Sequence, residues 1–231
     1  MKEGRTMNKV TDAIPVPALR RLPSYLRLLR TLQGLGREVV SCTHIAEELG
    51  LQPTQVRKDL QATGIAGRPK VGYPVQALID AIEDTLGWRN ATEAFLVGAG
   101  NLGSALLGYR GFAESGLEIV AAFDVDPAKV GTEIHGKAVL HLDKFADLVR
   151  RMHVHIGIIT TPGEQAQEVA DLMVRSGIKA IWNFAPADIT VPDPVILENV
   201  SLSASLAVLS NRLETVLRSA EHAGGLDDER D

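Results

Sequence analysis

The sequence predicts an α/β protein in two parts: a winged helix-turn-helix, then a Rossmann-like, doubly wound parallel sheet followed by a C-terminal helix. Three observations predict it. Leucines spaced by three and four residues mark helices up to about residue 88, whereas apolar strands alternate with helices beyond it. A Gly-x-Gly-x-x-Gly turn, Gly98 to Gly103, lies between one of those strands and a helix. Charge divides in the same way, with 12 Lys and Arg against 6 Asp and Glu up to Tyr73, but 12 against 23 after it, for a net −5. The expected boundaries are a loose N-terminus over 1–14, the winged helix over 15–88, the Rossmann domain over 89–200, a C-terminal helix over 201–220 and a polar tail over 221–231.

In chain order, Leu19, Leu22, Leu26, Leu29 and Leu32 form the stripe of a first amphipathic helix running from Val16 to about Leu35, ended by Gly34 and Gly36. Ser41 caps a second helix, Thr43 to Leu49, which stops at Gly50. A third begins near Pro53, a residue suited to a first helical turn, and ends before Gly64. The glycine-rich GIAGRPKVGY reads as a short hairpin, and Val75 to Leu86 as a further helix. Strands are then readable at Ala94–Val97, Ile119–Phe123, His155–Thr160, Ile178–Trp182 and near Val195–Val200. Helices fall at Leu102–Ala113, Lys144–Met152, Glu164–Ser176 and Leu202–Ala220.

Composition narrows the function classes. With 45% hydrophobic and 23% charged residues, the chain is an ordinary soluble protein. Its apolar runs fall far short of the ~20 residues needed to span a bilayer. The N-terminal stretch lacks a signal-peptide core. The single cysteine, Cys42, excludes an intrachain disulfide and fits a reducing cytoplasm.

The glycine turn has the context that dinucleotide binding requires. Gly98 permits the tight turn, Gly100 lets the backbone approach a diphosphate, and Gly103 lets helix and strand pack closely, with Ala99, Asn101 and Leu102 between them. Phosphates would meet the positive end of the following helix. Asp124, at the end of the next strand, is the carboxylate expected on the ribose hydroxyls. It would repel a 2′-phosphate, so NAD(H) is favoured over NADP(H). Thr160, Thr161 and Pro162 after one strand, and Asn183, Phe184 and Pro186 after another, face the same crevice or simply end those strands at a proline.

In the basic third of the chain, the helix from Pro53 to Leu60 is the one expected in the major groove of double-stranded DNA. Val56 and Leu60 form its buried stripe. Arg57 suits guanine edges, and Lys58 and Gln55 suit phosphates or adenine, with Thr54 and Gln61 also available. Ser41, Arg68 and Lys70, the last two at the wing tip, complete the DNA-binding set.

With both halves placed, the chain resembles the Rex family of redox-sensing transcriptional repressors from Ile14 to about Leu217. The resemblance is carried by RLPSYLRLL (21–29), QVRKDL (55–60), GY (72–73), VGAGNLGSAL (97–106), FDVDPAKVG (123–131), the run TTPGEQAQEVADLMVRSGIKAIWNFAP (160–186) and ILENVSL (196–202). It implies a homodimer whose C-terminal helix crosses to the partner's Rossmann domain. It also implies that NAD⁺ is compatible with DNA binding, whereas NADH changes the angle between domains and releases the operator. By position it adds Tyr109, Val125 and Lys129 to the cofactor-binding residues and makes Arg27 the arginine of an interdomain switch. Three places depart from the family pattern. Ser201-Leu202 stand where an acidic residue followed by Leu or Phe is usual, so the acidic partner of Arg27 is missing. Ala62-Thr63 replace an aromatic pair, and Pro69 replaces a basic residue.

An NAD-dependent oxidoreductase is the enzymatic alternative, but the six histidines do not supply it with a catalytic or metal-binding group. His44 lies in the DNA-binding half, His135 and His141 in a loop region, His222 in the tail, and His153 and His155 at the start of a strand. No catalytic residue and no metal site are therefore expected. A regulator sensing another adenine ligand such as coenzyme A, and a purely dimeric DNA binder, are the remaining alternatives.

Overall fold

The computed structural model describes residues 14–69, 71–89 and 92–224. The expected loose N-terminus up to residue 13, Lys70 and the tail beyond residue 224 lie outside the described residues. The chain divides into two compact units, with the second beginning at Thr92.

The first unit runs α1 (Val16–Gly34), β1 (Val39–Val40), α2 (Cys42–Leu49), α3 (Pro53–Ala62), β2 (Tyr73–Pro74) and α4 (Val75–Leu86). Each boundary has a local cause. The Ser41 hydroxyl accepts a hydrogen bond from the His44 N–H at 3.1 Å and caps α2, which ends at Gly50 with φ of 64°. Pro53 occupies the first turn of α3. The expected hairpin over 64–73 is built by Arg68 and Gly72, which exchange backbone hydrogen bonds of 2.8 and 2.9 Å. The chain then returns so that Tyr73 pairs with Val40 in an antiparallel ladder. Leu22, Tyr25, Leu26 and Leu29 of α1 are fully buried against α4 and the two shorter helices.

The second unit is a seven-stranded sheet in the order β5-β6-β4-β3-β7-β8-β9. Its strands are β3 (Thr92–Val97), β4 (Leu117–Asp124), β5 (Glu133–Ile134), β6 (Lys137–His141), β7 (Ile156–Ile159), β8 (Ala180–Asn183) and β9 (Ile196–Asn199). All pairs from β6 to β9 are parallel. The strand order reverses beside β3, which makes the gap between β3 and β7 the switch point where ligands of such sheets bind. Alternate residues of β3 serve opposite faces. Phe95 and Val97 pack with α7 (Phe145–Met152) and α8 (Gly163–Ser176), whereas Ala94 and Leu96 pack on the side of α5 (Asn101–Leu107) and α6 (Gly111–Glu114). Phe95, Phe123 and Phe145 meet edge-to-face with ring centroids 5.0 to 5.9 Å apart, and all three are fully buried.

Four sequence expectations change. The single helix over 102–113 is two, because α5 ends at Gly108, where a Cβ would stand 2.7 Å from the His135 imidazole. The loop expected to hold His135 and His141 is the β5–β6 hairpin, turned by His135 and Gly136 with φ of 51° and 74°; histidine and glycine there do the work of the usual Asn-Gly. His153 is not in a strand but ends α7 in a left-handed conformation, and His155 precedes β7. The last helix, α9, runs from Leu202 to Gly224 rather than ending at Ala220. Its Leu202, Leu206, Leu209, Leu213 and Val216 are each more than half exposed, and their spacing of four and three residues forms a seam along one side.

The aromatic trio carries a stability prediction. Phe123→Ala is expected to lower unfolding free energy by about 3–5 kcal/mol, read as a fall in the urea midpoint at unchanged slope.

Candidate functional site

The crevice is built where β3 gives way to α5. Gly98 holds φ of +105°, and a Cβ on it would lie 2.8 Å from the Thr161 amide nitrogen. A Cβ on Gly103 would run into the Gly98 carbonyl. Thr160 tightens the same knot, its hydroxyl lying 2.7 Å from the Gly98 carbonyl and 3.1 Å from that of Val97. Gly100 is different in kind: a Cβ there would meet nothing within 4 Å. It begins α5 with no side chain capping the free N–H groups of the first turn. Two glycines are therefore required by packing, and the third leaves open space over the backbone. Beside this cradle Thr161 is buried, and its hydroxyl finds no hydrogen-bond partner among the described residues. An open backbone surface and an unspent hydroxyl at the switch point fit the diphosphate and polar groups of a dinucleotide.

Asp124 closes β4 and ties the turn to it. One carboxylate oxygen accepts from the Ala99 N–H at 2.8 Å and from the Lys129 ammonium at 3.2 Å; the other accepts from the N–H groups of Val125 and Asp126 at 2.8 and 2.9 Å. Burial pushes the carboxyl up, but the Asp126 N–H, the Lys129 ammonium and the Ala99 N–H together hold it below the usual carboxylate range. Four donors already occupy a carboxylate with about four acceptor positions. A sugar hydroxyl docking there must share or displace the Lys129 contact, the longest of the four.

On the other side of the switch point, Asn183 is buried and works as a builder. Its amide donates to the Ala187 carbonyl and the Asn199 side chain, both at 2.9 Å, and its oxygen accepts from the Ala185 N–H at 3.0 Å. It thus shapes the loop carrying Phe184 and Pro186, whose carbonyl lies 3.1 Å from where a Cβ on Gly163 would stand. Phe184 is half-buried against Trp182, at 4.8 Å between centroids, whereas Pro186 and Pro162 are exposed. Asn101, Leu102 and Val125 are exposed on the crevice loops, whereas Tyr109 is exposed beyond the far end of α5, edge-on to Phe112. Ser201 caps α9, its hydroxyl accepting from the Ala204 N–H at 3.1 Å, and Leu202 is exposed in the first turn.

In the first unit, Thr54, Arg57, Lys58 and Gln61 are exposed on α3. Ser41, Arg57, Gln61 and Arg68 line a groove of about 600 Å³ between that helix and the wing. Gln55 is turned inward instead, donating to Asp59 at 2.9 Å. Arg27 is exposed on α1. The residue that sequence reasoning missed is Asp59, buried with Val56 and Leu60 on the same stripe. Its signal was available, because a carboxylate three residues after Val56 and one before Leu60 lies on the face pointing inward. Burial pushes this carboxyl up, but the Arg21, Tyr25 and Gln55 side chains bonded to it hold it below its ordinary value.

Comparison with known proteins follows the same division. Residues 13–61 match the family model described as putative DNA-binding protein N-terminus, and residues 89–187 match the CoA binding domain. The chain is 51% identical to the redox-sensing transcriptional repressor Rex of Treponema denticola, over 86% of this chain and 95% of that one. It is 48% identical to the repressor Rex of Bacteroides fragilis, over 91% and 96%. Among solved structures it is similar to RSP, a Rex-family repressor, in complex with β-NAD⁺ and operator DNA, with a TM-score of 0.83 at 37% identity over 94% of this chain and 99% of that one. The complex of RSP with β-NADH gives a TM-score of 0.80 at 37% identity over 90% and 98%.

Two of the three glycines separate in a stability measurement. Gly103→Ala is expected to cost more than about 2 kcal/mol, because the methyl meets backbone. Gly100→Ala is expected to stay within about 0.5 kcal/mol, as judged by paired thermal melts.

Proposed function

The chain belongs to the Rex family of redox-sensing transcriptional repressors, and from that premise we propose that it represses transcription on operator DNA and reads the NADH/NAD⁺ ratio, NADH releasing the operator. The observation that carries the ligand half is the open backbone over Gly100 beside the unspent Thr161 hydroxyl. In this reading the turn from Gly98 through Ala99, Asn101 and Leu102 to Gly103 receives the diphosphate. Asp124 with Lys129 and Val125 receives the adenosine sugar; kept ionised, Asp124 disfavours a 2′-phosphate. Thr160, Thr161, Pro162, Asn183, Phe184, Pro186 and Tyr109 surround the nicotinamide side. The nicotinamide undergoes no reaction here: a ligand shifts the DNA-binding equilibrium only by its differential affinity for the two states, and we assign the crevice no catalytic role.

Arg57, Lys58, Thr54, Ser41 and Arg68 form the DNA-facing set, with Arg57 reading base edges, while Gln55 is turned inward onto Asp59. Lys70, in the same wing, is assigned to it from sequence alone. The exposed apolar seam of α9 supports a homodimer formed through that helix, exchanged between copies. Arg27, Ser201 and Leu202 are assigned to the coupling between ligand and DNA, with an uncharged serine at 201 in place of the family's acidic residue. A DNA-bound repressor works in the compartment that holds the chromosome, so we assign it to the cytoplasm. Among the described residues, no helix is long and apolar enough to cross a membrane.

A second reading, the same regulator sensing coenzyme A, is favoured by the CoA binding domain match over residues 89–187. Titration calorimetry with NADH, NAD⁺ and coenzyme A separates the two, and gel shifts with each ligand show which one releases DNA. We expect NADH to bind and release; release by coenzyme A alone would overturn the redox reading. Gly100→Val is expected to abolish NADH binding while leaving DNA binding intact. Arg57→Ala is expected to weaken operator binding by about 1–3 kcal/mol and relax base preference at one position, read by competition against single-base operator variants.

A further inference from the structure

Asp59 is 2% exposed, and it is the one buried carboxylate among the described residues. Its neighbours Arg57 and Lys58 point outward from the same helix. Every bond it accepts is directional. Arg21 reaches it with both arms of its guanidinium, Nε to Oδ2 at 2.6 Å and Nη2 to Oδ1 at 2.8 Å. The Tyr25 hydroxyl donates at 2.7 Å, and the Gln55 amide one turn earlier on α3 donates at 2.9 Å. Two of its partners therefore lie on α1, one turn apart, and one on α3 itself.

The apolar contacts of Leu22, Leu26, Val56 and Leu60 hold α3 against the rest of the unit, but they are non-directional and tolerate small rotations. A planar bidentate fork does not. At the ~6 Å outer radius of a helix, a turn of about 10° carries a side-chain tip about 1 Å, twice the ~0.5 Å tolerance of a recognition constellation. Bidentate reading of base edges is lost at that displacement, whereas a flexible lysine still finds a phosphate. Stability alone does not require the arrangement, since well-packed apolar groups often replace a buried ion pair without loss.

We propose that Asp59 is a positioning residue for operator recognition: held by Arg21 and Tyr25, it fixes the rotation of α3 and so supplies discrimination between DNA sequences rather than affinity for DNA as such. The role rests on α3 being the DNA-reading helix.

The test uses the full chain and two duplexes, one selected by the wild type from a randomised library and one of the same composition with its sequence shuffled. Anisotropy titrations at one fixed salt concentration give the preference ratio, and thermal melts report the fold. In the apolar replacement Arg21→Met, Tyr25→Phe, Asp59→Leu, we expect a melting point within about 5 °C of wild type. Binding to the shuffled duplex should stay within about twofold, with a loss of about tenfold or more on the selected one. Tyr25→Phe alone removes one of the four bonds and is expected to lower the ratio about threefold in a chain that folds; it decides the matter if the triple variant does not fold. A folded variant of either kind that keeps the wild-type ratio overturns the proposal. A wild-type chain that enriches no preferred duplex overturns the DNA-reading assignment itself, and this role with it.

Discussion

The second unit depends on one close approach. The turn leaving β3 passes against the end of β7 at a separation that no side chain survives, with Gly98 against the Thr160–Thr161 peptide and Gly103 against the Gly98 carbonyl. That contact brings the first residues of α5 to the switch point of the sheet. Asp124 holds the turn from the neighbouring strand through the Ala99 N–H, and the Thr160 hydroxyl holds it from β7. Asn183 builds the opposite wall by shaping the loop after β8 and fastening it to Asn199 on β9. The crevice is therefore tied by hydrogen bonds on both sides, and the backbone over Gly100 is left open. For a sensor, a preformed site keeps the ordering cost of binding low, so more of the binding energy is available to bias the DNA-binding equilibrium.

The first unit solves a different problem. In the proposed reading α3 must be stable and also correctly turned, and directional bonds fix the turn more sharply than apolar contacts do. A buried Asp59 beneath an exposed Arg57 joins the two requirements on one helix. The inward face of α3 is fastened to α1, while its outward face is left polar and unencumbered.

The last helix contrasts with both. Its apolar seam is exposed, and burying such a stripe is the ordinary source of helical stability, since propensity alone leaves isolated helices marginal. A second copy of the chain offers the same seam in return, and coiled-coil spacing suits such pairing.

Much of this was legible in the residues alone. The leucine spacing of α1, the Ser41 cap, the Pro53 start and the glycine turn are local signals, and the structure carries each of them. The strand β6 was missed because only Ala138, Val139 and Leu140 of its residues are apolar and its hairpin turns on His135-Gly136 rather than a familiar turn pair. The break between α5 and α6 falls at Gly108, which the sequence shows, but the His135 ring that leaves no room for a side chain there lies far along the chain. The residue types around the crevice were readable too, but not their partners. Asp124 was identified as a sugar ligand, and tertiary structure adds that it already holds Lys129 and three backbone N–H groups. Gln55 was identified as a DNA contact, and tertiary structure turns it toward Asp59. By itself the sequence determined most of the elements and what ligand class they suit, because helices, caps and glycine turns are set by neighbours a few residues apart. Only the tertiary structure decided which polar groups are already spent and which are left to bind, because hydrogen-bond partners such as Arg21 and Asp59 meet through packing rather than proximity in the chain.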